Sequence, residues 1–191
     1  MRKKAMRILS VDVGVRHLGL CLLEAPDTLL RWSLVAIPGK PIEVHRVLET
    51  VTEALAGWEQ PDVVIVERQP GKSVVMSRIQ NYCEMIGACH LRKPTHLMEP
   101  KAKLYWASTT RWWPSNIRLE GKKKWTYRER KGAAITCTAN FIRERAPDWV
   151  HTFFSAAKRD DLADCLLQAL TYAAEHTPQT PSLPADAAEM V

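Results

Sequence analysis

Residues 7–23 read RILSVDVGVRHLGLCLL: an apolar run that closes on an acid, turns at a glycine and becomes apolar again. Ile8, Leu9 and Val11 predict a β-strand over Arg7–Asp12, and Gly14 marks the turn that follows it. Two more apolar runs, Leu18–Ala25 and Leu29–Ile37, follow at hairpin spacing. Val44, Val47, Leu48, Val51, Leu55 and Trp58 then recur at helical spacing after Pro41. VVIVE, Val63–Glu67, is apolar without alternation, as expected of a strand covered on both faces. Three strands at hairpin spacing, then alternating helix and strand, predict a mixed α/β sheet with helices on both faces.

The remaining segments fit that frame. A helix is expected from Ser73 to about Leu91, a short strand at THLMEP, a helix over Thr126–Arg145, an extended piece at WVHTFF and a last helix from about Asp160 to Glu175. Residues 100–125 show no sustained period and read as a long basic and aromatic loop with one helical turn at most. One domain is expected over residues 1–176, its basic loop near 100–131, with a Pro-rich tail at 177–191 that reads as disordered.

Of 191 residues, 46% are hydrophobic, yet no run of 18 apolar residues exists, so no membrane span is expected. The basic MRKKAM start lacks the apolar region and cleavage site of a secretory leader. Five scattered cysteines without CxxC spacing fit reduced thiols, hence an intracellular reducing compartment: bacterial cytoplasm, infected-cell cytoplasm or mitochondrial matrix. The net charge of +6 is concentrated: between Arg111 and Lys131, eight Lys or Arg face only Glu120 and Glu129. A concentrated basic segment suits a polyanion, because neutralising phosphates releases counterions, although a solvated loop has the same composition.

The acids carry the chemistry. Asp12 and Glu67 both stand at the carboxyl ends of expected core strands, where open α/β sheets place ligands. In KRDDLADCLL, Lys158–Leu167, Asp161 and Asp164 share one helix face. Asp160 is explained as a cap or first-turn charge. Asp164 is not, since it falls in the second turn beside residues that should be buried, and an unpaired buried charge is costly. Converging carboxylates point to a divalent cation, and hard oxygen donors favour magnesium or manganese over zinc. Two such ions together suit phosphodiester hydrolysis.

In order and spacing, SVDVGVRHLGLCLL, VVIVERQ and KRDDLADCLLQAL resemble the RuvC-type Holliday junction resolvases, in particular the poxvirus and fungal mitochondrial branch. The resemblance spans roughly Arg7 to Glu175 and implies a ribonuclease H-like fold with a mixed five-stranded sheet. It also implies a homodimer that uses magnesium, with manganese as a substitute and two ions per site, to nick two opposed strands of a four-way DNA junction. Asp12, Glu67, Asp161 and Asp164 match the metal-binding tetrad. Lys158 stands where it would contact the phosphate or orient the attacking water.

DNA-backbone positions implied in the same way are Arg68, Gln69 and Lys72 after the acidic strand, and Lys122, Lys123, Lys124, Arg128, Arg130 and Lys131 in the basic stretch. On a helix, Lys124, Arg128 and Lys131 would share a face. Trp112, Trp113 and Trp125 lie among these bases; Trp113, before Pro114, is expected to pack, while Trp112 is open to stacking on an unpaired base. His17 stands where the family often has Asn. The apolar helix beginning at Ser73 would provide a dimer face. DVGVRHLG also resembles the opening of the YqgF-type RNA-processing nucleases, and a non-catalytic junction-binding protein is a further alternative. An actin-like ATPase or sugar kinase would need a second Gly-rich phosphate loop and about twice this length.

Overall fold

The computed structural model describes residues 4–37, 42–71, 73–115, 117 and 125–177. The expected tail beyond Thr177 lies outside these residues, as do Pro41, Lys72, Lys122, Lys123 and Lys124. Five strands form one sheet: β1 (Arg7–Val13), β2 (His17–Glu24), β3 (Thr28–Ala36), β4 (Val63–Glu67) and β5 (Thr95–Met98), in the order β3-β2-β1-β4-β5. The first three pair antiparallel as a meander, and β4 and β5 join β1 in parallel. Gly14 makes the β1–β2 turn possible, since a Cβ there would lie 2.4 Å from the His17 carbonyl oxygen.

Alternation along the strands assigns the two faces. Ile8, Cys21, Leu23, Val63, Ile65 and Met98 point to one core, whereas Leu9, Val11, Leu20, Leu22, Val64 and Val66 point to the other. The second face is covered by α1 (Val44–Ala54) and α2 (Val74–Met85), through Val47, Val51, Ile79 and Cys83. The first face is covered by α3 (Pro100–Ser108), α4 (Tyr127–Arg145), α5 (Val150–Ser155) and α6 (Arg159–His176). Each fully buried Leu, Ile or Phe in these layers contributes about 1.5–3 kcal/mol of transfer free energy.

The helix α6 is buried almost all round from Leu162 to Ala173 because it lies directly on β1 and β2 and under α3 and α4. Gly19 permits that approach: a Cβ on it would come within 2.5 Å of the Asp161 carbonyl oxygen. Trp32 fixes the helix start, its Nε1 donating to the Leu162 carbonyl at 3.1 Å while its ring stacks on Phe153 at 5.3 Å.

Two local expectations need correction. Residues 100–108 form the helix α3, with Pro100 in its first turn and Lys103 and Ala107 buried one turn apart. The expected extended piece at 149–154 is helical, a 3₁₀ turn at Pro147–Trp149 running into α5. The helix expected from Ser73 to about Leu91 is borne out, as α2 running directly into a π turn over Ile86–His90. Of the two readings of Asp160, the first-turn charge holds: Lys158 is the N-cap, without a side-chain hydrogen bond, and Asp160 follows in the first turn of α6, 3.5 Å from the Lys131 ammonium.

Candidate functional site

The β1–β4 register pairs Val11 with Val66, so the next residues, Asp12 and Glu67, lie level with each other near the carboxyl ends of their strands. Alternation turns both toward the α6 face, where Asp164 arrives from the second turn of that helix. The three carboxylates surround the ammonium of Lys103 from α3, which lies 2.7 Å from Glu67 Oε1, 3.2 Å from Asp164 Oδ1 and 3.7 Å from Asp12 Oδ1. Lys103 is only 4% exposed. Burial opposes its charge, but Asp164, Asp12 and Glu67 hold the ammonium well above the ordinary lysine range.

A second lysine closes the group. Thr126 caps α4 through a capping box: its hydroxyl accepts from Glu129 N at 3.2 Å, and Glu129 Oε2 accepts from Thr126 N at 2.9 Å. Such a cap contributes about 1 kcal/mol and sets where the helix begins. Lys131, just over one turn on, ion-pairs with Asp164 and Asp160. Burial works against this ammonium too, and Asp164, Asp12 and Asp160 raise it.

The acids respond in kind. Burial pushes the Asp12 carboxyl well above the usual carboxylate range; Lys103 counters this, and the neighbouring Glu67 and Asp164 charges add to it. Half-buried Asp161 is also raised, by burial and then by Asp160, against the pull of Lys131 and Lys158. Gln69 donates from Nε2 to Glu67 Oε2 at 3.0 Å, and its backbone N–H donates to Gln80 Oε1 of α2 at 2.6 Å. Gln69 therefore orients Glu67 and is itself held from the opposite face of the sheet.

These groups line a cleft of about 530 Å³ that also takes in Gly14, Tyr127 and Arg130. Among the described residues no three Asp, Glu, His or Cys side chains are already gathered as a metal-ligand cluster. A single buried cation nevertheless sits among three carboxylates, with Asp161 on the cleft wall, and the donors are all hard oxygens. The set fits magnesium or manganese, with the Lys103 ammonium standing where a cation is wanted.

The expected site residues divide accordingly. Asp12, Glu67, Asp161, Asp164, Gln69, Arg130 and Lys131 meet at the cleft. Arg68 turns away to Glu99 at 2.9 Å, Arg128 is exposed outside the cleft lining, and Lys158 lines a neighbouring groove with Asp161. The tryptophans pack instead of facing the cleft. Trp112 sits edge-on to Phe141 at 5.0 Å with Nε1 on Glu144, while Trp113 donates to the Ile117 carbonyl and lies 5.8 Å from Trp125. Lys103 was missed by sequence reasoning. The available signal was a lysine one turn from Ala107 after a strand and an N-terminal proline, too weak to separate from a surface lysine.

Strand order, the antiparallel-then-parallel pairing and helices on both faces define a ribonuclease H-like α/β fold. Three solved structures share it. The fowlpox virus Holliday junction resolvase matches with a TM-score of 0.64 at 19% identity, over 89% of this chain and 99% of that one. The yeast mitochondrial Holliday junction resolvase matches at 0.59 and 16%, over 88% and 78%, and Thermus thermophilus RuvC in complex with a Holliday junction substrate at 0.55 and 21%, over 88% and 92%. The fowlpox enzyme is also solved with substrate Holliday junction DNA. No protein-family model and no curated protein sequence matches the chain. The resemblance read from the sequence is thus borne out at the level of the fold.

Proposed function

We propose that the chain is a structure-selective DNA endonuclease that resolves four-way junctions by magnesium-dependent phosphodiester hydrolysis, nicking two opposed strands as a homodimer. The observation that carries this reading is the convergence of Asp12, Glu67 and Asp164 on one buried cation at the strand ends, in an open cleft with a basic rim. The fold shared with junction resolvases supports it.

Asp12, Glu67, Asp161 and Asp164 would hold the ions. Magnesium, or manganese in its place, supplies when bound the Lewis acidity that activates water and stabilises the leaving oxygen. The chain's own groups do the rest. Gln69 fixes the Glu67 carboxylate, Lys103 and Lys131 keep the acids together at tolerable charge, and Arg130 at the rim offers a fork for a phosphate. Lys158 approaches Asp161 from the far side, within reach of a phosphate seated there. The backbone roles of Arg128, Lys72, Lys122, Lys123 and Lys124 remain part of this proposal, whereas Arg68 is engaged with Glu99.

Helix α2 supports the homodimer. Val74 is 73% exposed at the start of α2, where Val75 is exposed too, and Met85 is exposed at its other end, apolar side chains that a second copy would cover. Among the described residues no helix is long and apolar enough to cross a membrane.

The test is a substrate panel in magnesium: a four-way DNA junction, linear duplex, a flap and an RNA–DNA hybrid. Symmetric nicks in the junction, with duplex left intact, are the expected result. Cleavage of the hybrid alone would replace this reading by an RNA-directed nuclease of the same fold.

A further inference from the structure

Beside the acid cleft lies a second groove of about 740 Å³, and the two share a wall made by Gly14, Val15 and Asp161. Their cations differ in state. Lys103 and Lys131 in the acid cleft are committed to carboxylates. The second groove is lined by Arg16, His17 and Lys158, with Asp161 its only acid among the described residues. Arg16 and Lys158 are exposed, and neither forms an ion pair among the described residues. The ridge between the grooves is set by the β1–β2 turn, which has no room for a side chain at Gly14 and is tied to the end of β3 by Ile37 N donating to the Arg16 carbonyl at 2.8 Å.

We infer that this groove is a phosphodiester-backbone site: Arg16 and Lys158, with His17, hold a phosphate of the cut DNA strand adjacent to the one at the acids. The inference rests on the nuclease reading and deepens it. A strand laid over the Gly14–Val15 ridge places one phosphate at Asp12 and Asp161 and carries the next into the groove. There a guanidinium fork and an ammonium form no ion pair among the described residues, Lys158 acting on Asp161 only at longer range, and an imidazole adds a further polar contact. The two grooves divide the work: carboxylates on one side for the cation, free bases on the other for the polyanion.

The experiment measures junction binding in magnesium-free buffer, comparing a cleavage-disabled Asp12→Asn parent with the same protein carrying Arg16→Ala or Arg16→Lys. Each protein is titrated with junctions bearing one neutral methylphosphonate at successive positions around the cut site, and with salt. Arg16→Ala is expected to weaken binding roughly tenfold and to lower the salt slope by about 0.9, the value for one phosphate contact on duplex DNA. Neutralising the phosphate next to the cut should then cost the parent affinity but cost Arg16→Ala almost nothing, and Arg16→Lys should restore the salt slope. Losses that simply add at every phosphate, or an unchanged slope, would overturn the site. Coupling to a phosphate on another strand would overturn the same-strand assignment. If the parent does not bind junctions at all, the nuclease reading falls and this one with it; if it binds without Arg16 coupling, only the groove falls.

Discussion

The two faces of the sheet are built from the same strands but carry different loads. On the α1–α2 face the strands present Leu9, Val11, Leu20, Leu22, Val64 and Val66, and the helices answer with Val47, Val51 and Ile79. On the α6 face, aliphatic packing gives way at the strand ends to Asp12, Glu67, Asp164 and Lys103, all buried or nearly so. The difference teaches that one face supplies stability, while the other spends part of it holding like charges together. Gln69 crosses between them, bonded to Glu67 on one side and Gln80 of α2 on the other.

The contrast can be broken most severely at the acids. Glu67→Gln should reduce junction cleavage by about 10³-fold, roughly 4 kcal/mol of transition-state stabilisation, with binding changed far less. A gel-based cleavage time course beside a binding titration checks this. Lys103→Met should lower the stability of the metal-free protein by about 3–5 kcal/mol, since it leaves three buried carboxylates without their cation. Magnesium should recover much of that loss, which thermal melts with chelator and with magnesium would reveal. Ile79→Ala, on the other face, should cost about 2–5 kcal/mol with no recovery by magnesium and unchanged cleavage per folded molecule. Equal magnesium responses in the two variants would erase the distinction between the faces.

Much of this contrast was legible in the chain. Asp12 and Glu67 stand out because each ends an apolar run, and Asp164 because it interrupts a buried helical stripe. Hairpin spacing marks β1, β2 and β3 as neighbours, and the two-sided apolarity of β4 marks it as a covered strand; the full order was not legible, because parallel pairing of β4 and β5 depends on distant crossovers. Lys103 was hidden for a physical reason: its charge is tolerated only by partners 36, 61 and 91 positions away, which no local pattern records. The short helices α3 and α5 were missed because each is held mainly by a few contacts to α4 and α6, through residues such as Ala107 and Phe153, and not by its own period. Asp160 was legible as a first-turn charge of α6, but its pairing with Lys131 was not, because that depends on another helix.

Two finer effects sharpen the comparison. Gln69→Ala should lower cleavage by about 10–100-fold while leaving stability nearly unchanged, the behaviour of a residue that orients a metal-holding carboxylate; steady-state kinetics and melts separate the two. The smallest effect is on pH dependence. Asp12 is raised in the folded state, so its contribution to stability is fully present below the unfolded value of about 3.9 and is lost as pH climbs through the folded value. In chelator, the melting temperature of wild type relative to Asp12→Asn should therefore fall from about pH 4 toward neutrality. A difference that rises with pH would reverse the sign assigned to Asp12.

The most direct measurement sets wild type beside Asp12→Asn on a four-way DNA junction and on linear duplex, in magnesium. Paired nicks in the junction by wild type, none in the duplex, and none above background by Asp12→Asn are the expected result. Junction cleavage by Asp12→Asn at the wild-type rate would contradict the placement of the active site at the end of β1.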